Sequence, residues 1–185
     1  MDIFRDDTRD RTCDFLQSIG INAQMVERGR PEENIGLRPY YKSLGIIDIA
    51  EGPIRWINVI RNEIPRPFVH ILEYGVPDTT LDSSSPKIQI TSEPKHKFLI
   101  WGRVIDLKWN GEDAGVGLIS RLNGDSVLKE ATISSRVNMT INSHANQVLW
   151  TISTNYDQFL SPPTTIPSVV EWQSCQAIAH QLLAH

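Results

Sequence analysis

Residues 97–109, KFLIWGRVIDLKW, form the longest strongly apolar run in the chain. Four consecutive apolar residues at 98–101 are typical of a strand that is covered on both faces of its sheet. From residue 102 onward apolar and polar positions alternate, with Leu107 and Trp109 on one face, as in a strand whose other face meets solvent. The pattern predicts a central strand over 97–109, around which the rest of the fold is arranged.

Composition and charge favour a folded protein that does not bind nucleic acid. The chain has 185 residues, of which 40% are hydrophobic and 22% charged, and such proportions argue against disorder. Its net charge of −4 lacks the basic field that phosphate backbones attract, so a nucleic-acid partner is not expected. The start, MDIFRDDTRDRT, does not resemble a secretory signal, and no apolar run approaches a membrane span. We therefore expect a cytoplasmic protein with no membrane partner.

Helix signals stand at both ends of the chain. Asp7 or Thr8 can begin a helix that runs to about residue 19, and Gly20 is a suitable stop before a short strand over 21–27. Near the other end, Ser168 and Glu171 have the spacing of a capping box. The apolar face of the helix that follows predicts that it lies on the sheet and closes the core.

The segments between these helices alternate mostly with the period of strands. A short helical turn and then a strand are expected over 40–49, and Asn110 with Gly111 is a strong turn signal. Residues 116–122 alternate as a strand, whereas propensity leaves 125–131 open between strand and helix. Further strands are predicted at 54–61, at 68–74, at 87–91 as an edge strand, and as a hairpin at 137–141 and 148–152.

Together these patterns predict an α+β fold. It consists of a mostly antiparallel sheet, alternatively a half-open barrel, with an N-terminal helix–strand unit and a C-terminal amphipathic helix packed on the sheet. We expect one domain over 1–185. The stretch 75–86, GVPDTTLDSSSP, is rich in turn residues and offers the alternative of a linker between a front lobe, 1–74, and a back lobe, 87–185.

Two segments have more than one interpretation. Cys13 and Cys175 are expected to be reduced, buried residues of the two terminal helices, and a disulfide between them is the alternative. The loop over 28–38 pairs Arg28 and Arg30 with nearby glutamates and is interpreted as a solvated surface loop. Its alternative role is to hold an anionic ligand through these arginines.

A search for catalytic motifs finds none. No histidine has a ligand spacing to another His, Cys or carboxylate, no nucleophile elbow is present, and the glycines at 111, 115 and 117 match no phosphate-binding loop. We expect neither a metal site nor a cofactor. His70 stands out because it lies in an apolar strand near Glu73 and Tyr74. The candidate binding residues are His70, Glu73, Tyr74, Asp106, a strand acid that could converge with others, and Trp109, a possible exposed aromatic platform.

The absence of catalytic motifs favours a non-enzymatic binding or assembly module. Several strands would need protection of their edges, which a protein partner or a second copy of the chain can supply. The alternative is a small hydrolase, metal- or carboxylate-dependent and nuclease-like, that uses His70 and Glu73. The sequence does not identify a small-molecule ligand.

Overall fold

A computed structural model describes residues 6–63, 70–98, 101–156 and 166–184. In this part of the chain four helices pack with one antiparallel sheet of eight strands, in the order β1-β2-β3-β4-β8-β7-β5-β6. The helices are α1 (Thr8–Ser18), α2 (Leu118–Gly124), α3 (Ser126–Ser135) and α4 (Val169–Leu183). The strands are β1 (Ala23–Met25), β2 (Tyr41–Ile49), β3 (Trp56–Asn62), β4 (His70–Pro77), β5 (Gln89–Phe98), β6 (Trp101–Glu112), β7 (Val137–His144) and β8 (Leu149–Tyr156).

The sheet has two different faces. On one face, apolar side chains of the strands form one core, to which all four helices contribute, among them Leu16 of α1, Leu122 of α2 and Trp172 of α4. We call this the helix-covered face and the opposite side the open face. The sheet does not close into a barrel, because β1 and β6 are its two ends. The predicted α+β class and the packing of the C-terminal helix on the sheet are confirmed.

The two halves of the chain share this sheet through β4 and β8. Tyr74 pairs with Ile152, and Glu73 pairs with Ser153, in an antiparallel ladder that runs the length of both strands. The predicted linker is shorter than expected, since β4 continues to Pro77.

The predicted central strand is wrong in both extent and position. The described residues of 97–109 belong to two strands, β5 and β6, which pair with each other in a register that opposes the backbones of Phe98 and Trp101. Only residues 89–91 of β5 also pair with β7, and β6 is the end of the sheet. The apolar run therefore straddles the connection at 99–100, which lies outside the described residues. An apolar run reports hydrophobicity but does not report where in the sheet its strand lies.

Four local predictions are also wrong. Residues 41–49 form a strand throughout, so the predicted helical turn is not present there. The segment 87–91 is not at the edge of the sheet, because β5 lies between β7 and β6. The turn at Asn110 and Gly111 does not form, since β6 continues to Glu112. Gly111 is required for another reason: a Cβ there would collide with the carbonyl oxygen of Gln89. The strand predicted at 116–122 is helix α2.

Specific contacts show how two further helices begin. The segment left open at 125–131 is helical in α3, whose cap Asp125 accepts a hydrogen bond from the Leu128 amide at 2.9 Å. Ser168 Oγ accepts from the Glu171 amide at 3.1 Å and so begins α4. Cys13 and Cys175 are buried free thiols. None of the described helices combines the length and the apolarity that a membrane crossing requires.

Candidate functional site

A groove of about 580 Å³ lies on the open face. Its floor is formed by β4, β7 and β8, and residues 36–38 and the start of β5 form its sides. We call it the open-face groove. Most of the side chains that line it are polar: Arg38, Tyr41, Glu73, Lys87, Gln89, Thr140, Asn142, Ser143, His144, Ser153 and Asn155.

The alternation of β7 and β8 explains why this floor is polar. Along β7 the apolar members of the alternation are buried toward the helices, which leaves Thr140, Asn142 and His144 on the other side. Ser153 and Asn155 of β8 occupy the same face, because side chains of a strand alternate between faces. Amide and hydroxyl groups are therefore gathered on the face of the sheet opposite α1 to α4.

A buried polar network fixes the wall made by the loop after β1. Glu33 is 6% exposed, and its carboxylate accepts from the Gly29 amide at 2.7 Å and from Arg28 Nε at 3.2 Å. Asn58 Nδ2 donates to the Glu33 carbonyl at 3.2 Å and ties the loop to β3. Ile35 adds an apolar contact with the buried Trp56 cluster. The loop is therefore held against the sheet.

The two arginines of this loop are engaged within the protein. Arg28 bonds Glu33 and also donates to the Ser43 carbonyl at 2.6 Å. Arg30 pairs with Glu32 and Asp48, both at 2.6 Å. Neither is among the residues that line the open-face groove, and the loop instead presents Arg38 to it.

Glu73 occupies the floor of the groove. Glu73 is only 5% exposed. The Ser153 hydroxyl donates a hydrogen bond to Glu73 Oε2 at 3.3 Å. Its other oxygen, Oε1, is buried and has no hydrogen-bond partner among the described residues. Burial raises the pKa of the Glu73 carboxyl to about 7, an effect that the Ser153 hydrogen bond only partly offsets. Near neutral pH a large fraction of this carboxyl is therefore protonated.

His144 lies beside Glu73. The position that a Cβ on Gly36 would take is 3.3 Å from Glu73 Oε2 and 3.8 Å from His144 Cε1, so both groups approach one point of the loop. His144 Nε2 and Thr151 Oγ1 are 2.9 Å apart. Burial lowers the pKa of His144, and the charge of Lys87 lowers it further. The imidazole is therefore kept neutral next to a protonatable carboxyl.

Arg38 and Lys87 supply the positive charge of the groove. Both are exposed at its rim, and neither forms an ion pair with another described residue. Lys87 is close enough to His144 to act on its titration. The groove thus combines two cations at the rim with a largely uncharged floor.

The structure does not bring the sequence-predicted residues together, and of the five only Glu73 lines the groove. His70 lies on the opposite face of β4, with its Nε2 3.0 Å from Asp6 Oδ2 and 3.3 Å from Thr8 Oγ1. Tyr74 is in the core and donates to Glu171 Oε1 at 3.0 Å. Asp106 is exposed on β6, and Trp109 is fully buried, so it is not an exposed platform.

Sequence reasoning missed Arg38, Lys87, His144 and Ser153. The polar members of the β7 and β8 alternation were a usable signal for His144 and Ser153, since alternation places these polar side chains together on one face of the sheet. No local sequence pattern indicates that Ser153 is the cross-strand neighbour of Glu73, because that pairing joins residues that are far apart in the chain.

A second depression, of about 530 Å³, lies farther along the open face toward β1. It is lined by Arg30, Glu32 and Asp48, whose charges already pair with one another. These three charged groups are therefore satisfied by one another, in contrast to Arg38 and Lys87 of the open-face groove.

No group of three or more His, Cys, Asp or Glu side chains suited to a metal ion occurs within 6–63, 70–98, 101–156 and 166–184. Comparison with family models, with curated proteins and with solved structures finds no match to this chain. Function must therefore be argued from the groove itself, since a fold does not determine a function.

Proposed function

We propose that this protein is a non-enzymatic binding module that takes a small polar molecule in the open-face groove. The observation that carries the proposal is Glu73 Oε1, a buried polar atom at the floor of the groove without a hydrogen-bond partner among the described residues. Such an atom costs about 1–3 kcal/mol. A ligand that hydrogen-bonds the Glu73 carboxyl from the groove offsets part of that cost on binding.

The size and lining of the groove support a small ligand. Its volume of about 580 Å³ falls inside the range of about 300–1,000 Å³ that is usual for small-molecule sites. Asn142, Gln89 and Asn155 offer amide groups that can fix the orientation of a polar molecule. The pinned loop beside them gives the site a wall that exists before binding.

The test is a thermal-shift screen with a panel of amino acids, amines, sugars, nucleosides, organic carboxylates and inorganic phosphate. A ligand at about 100 times its Kd should raise the Tm by about 5 °C or more. The shift should be lost in Glu73→Leu and kept in Glu130→Leu, the same change at an exposed glutamate on α3. A panel without any shift, or a shift that Glu73→Leu leaves intact, would contradict the proposal.

A second candidate is an acid–base enzyme of the hydrolase class. The observation in its favour is the raised pKa of Glu73, about 7, because a general acid or base works best when its pKa is near the working pH. Chromogenic esters, phosphodiesters and glycosides test it. Turnover that Glu73→Gln abolishes, while folding is preserved, would establish the enzyme and displace the binding module.

Self-association through the sheet edge has weaker support. β6 is the long terminal strand of the sheet, and a free edge can pair with another chain. However, Asp106 and Lys108 project from it as exposed charges, which are the usual protection against such pairing. Light scattering over a range of concentrations decides this point: a dimer that persists on dilution would favour assembly.

A further inference from the structure

We infer that the open-face groove binds small organic carboxylates, with a ligand oxygen accepting a hydrogen bond from the protonated Glu73 carboxyl and the ligand charge offset by Arg38 and Lys87. This inference rests on the proposed function and names its ligand class. It follows from which atom of Glu73 is unpartnered, from the absence of a counter-ion beside it, and from the sign of the charge at the rim.

The hydrogen-bond direction at Glu73 defines what the ligand must offer there. The Ser153 hydroxyl donates to Oε2 of the ionised carboxyl at 3.3 Å. In the neutral carboxyl one oxygen carries a proton, and rotation of the group about its last bond can place that proton on either oxygen. Oε1 is buried and has no acceptor among the described residues. A carboxylic O–H is a strong donor. A ligand meets the neutral carboxyl beside Gly36 of the groove wall, where Oε2 lies, and must present an acceptor oxygen there to receive its proton.

The neutral form of Glu73 is favoured by its surroundings. The residue is 5% exposed and forms no ion pair with another described residue. A carboxylate that is buried without a counter-ion takes up a proton, because desolvation penalises the charged form. An amine ligand would offer a counter-ion but would place its charge in a groove whose rim is already positive.

The charge at the rim selects an anion. Arg38 and Lys87 are exposed there without an ion pair to any described residue. Their positive field attracts anionic ligands and repels cationic ones. A carboxylate carries one charge over two oxygens, so one oxygen can accept from Glu73 while the other faces a rim cation. A phosphate dianion would bring a second charge to a floor whose remaining donors are neutral.

Binding should then depend on pH through Glu73. The ligand binds the protein only when Glu73 is protonated, so binding is favoured at a pH at which Glu73 holds its proton. With a Glu73 pKa of about 7, affinity should fall about tenfold from about pH 6 to about pH 8. The other titratable or charged groups that face the groove are His144 on β7, Tyr41 on β2, Lys87 before β5 and Arg38 on the loop.

The experiment compares two matched sets by chemical-shift titration, followed at the side-chain amides of Gln89 and Asn142. One set is succinate, succinamide and 1,4-diaminobutane, and the other is benzoate, benzamide and benzylamine. Inorganic phosphate is titrated separately as a further anion. At least one carboxylate should bind about tenfold more tightly than its amide or amine and more tightly than phosphate. Arg38→Gln and Lys87→Gln should each weaken it several-fold.

Two variants isolate the role of Glu73. Glu73→Gln still donates a hydrogen bond through its amide, so it should bind carboxylates with an affinity that no longer changes between about pH 6 and about pH 8. His144→Asn should leave that pH dependence in place, which separates Glu73 from its titratable neighbour. Persistence of the pH dependence in Glu73→Gln would overturn the inference.

Failures of the inference and of the proposed function give different results. If amines, amides or phosphate bind in the groove more tightly than the carboxylates, the binding module stands and the ligand class is wrong. If neither matched set binds but a sugar or nucleoside of the wider panel does, the binding module again stands and the carboxylate ligand class is wrong. If no panel member shifts the Tm or perturbs the groove amides, both are wrong.

Discussion

Glu73 Oε2 lies 3.3 Å from the position that a Cβ on Gly36 would occupy. The loop and the floor of the groove therefore approach each other so closely that only a residue without a side chain fits well. Gly36 also has a φ of 65°, a backbone conformation that glycine adopts more easily than other residues. This contact sets the width of the groove beside its protonatable carboxyl.

Replacing Gly36 with alanine should push this wall away from Glu73. We expect Gly36→Ala to destabilise the protein by about 1–2 kcal/mol, from backbone strain and crowding together, and to weaken ligand binding in the groove. Gly29→Ala is the matched control, since Gly29 also has a positive φ, 96°, but no atom within 4 Å of its Cβ position. Urea unfolding and ligand titration measure both effects. Equal ligand affinities in the two variants would contradict the close contact.

The raised pKa of Glu73 makes stability depend on pH. Below about pH 4.5 both the folded and the unfolded protein hold the proton, whereas from there to about pH 7 only the folded protein keeps it. Stability attributable to Glu73 therefore falls as the pH rises through this window and is constant above it. The cumulative loss is about 3 kcal/mol.

Glu73→Gln should remove this loss. Its free energy of unfolding relative to the wild type should rise by about 3 kcal/mol between about pH 4 and about pH 8. Urea unfolding across this range measures the difference, and Glu130→Gln on α3, an exposed glutamate, should show almost none. A flat difference for Glu73→Gln would mean that this carboxyl titrates normally in the folded protein.

Trp56 and Gly75 form a second contact that depends on glycine. They are direct neighbours across β3 and β4, and the indole ring fills the space that a Cβ on Gly75 would need. Gly75→Ala should cost about 1–3 kcal/mol or more, because the buried ring must shift. Gly124→Ala, at the end of α2 with nothing within 4 Å, should be neutral or slightly stabilising. Similar Tm values for the two variants would contradict the packing described here.

The hydroxyl of Tyr74 links the sheet to the C-terminal helix. It donates to Glu171 Oε1 at 3.0 Å in the core, so Tyr74→Phe leaves a buried carboxyl with one donor fewer. We expect a loss of about 1–3 kcal/mol in the free energy of unfolding. Tyr40→Phe removes the same atom from a residue that is 72% exposed and should change stability by less than about 0.5 kcal/mol. An equal loss in both would show that the buried hydrogen bond contributes nothing.

The parts of the fold that were predictable from sequence are those with local signals. The Ser168 cap, the stop at Gly20 and the alternation of the β7–β8 hairpin each depend on a few neighbouring residues. Such signals act over one turn or one strand, so they survive whatever the rest of the chain does. They define both terminal helices and most of the strands, but neither α2 and α3 nor the strand order.

Short segments with two compatible periods were not predictable. Leu118 and Leu122 fit an alternating strand, but their spacing of four also fits one face of a helix. The structure selects the helix, in which the Asp113 carboxylate accepts from the Ile119 amide at 3.1 Å. The apolar run at 98–101 misled in a similar way, since its described residues are the end of β5 and the start of β6, and β6 is the last strand of the sheet.

The groove depends on contacts between distant parts of the chain. Gly36, Glu73, His144 and Ser153 meet only because β4 pairs with β8 and the loop before β2 is pinned across the open face. Glu73 could be singled out from the sequence as an acid in an apolar strand. Its partners follow from sheet register, which is set by packing over the whole fold.

The most direct test of the account is the titration of Glu73 itself. The ¹³C chemical shift of its side-chain carboxyl carbon, assigned by its absence in Glu73→Gln, should show a midpoint near pH 7, about where burial places this pKa. The midpoint should move upward when a carboxylate ligand is bound, because the ligand bonds the protonated form. A midpoint at or below about 4.5, the ordinary value for glutamate, would show a carboxyl that is solvated or paired, and the binding site proposed here would be wrong.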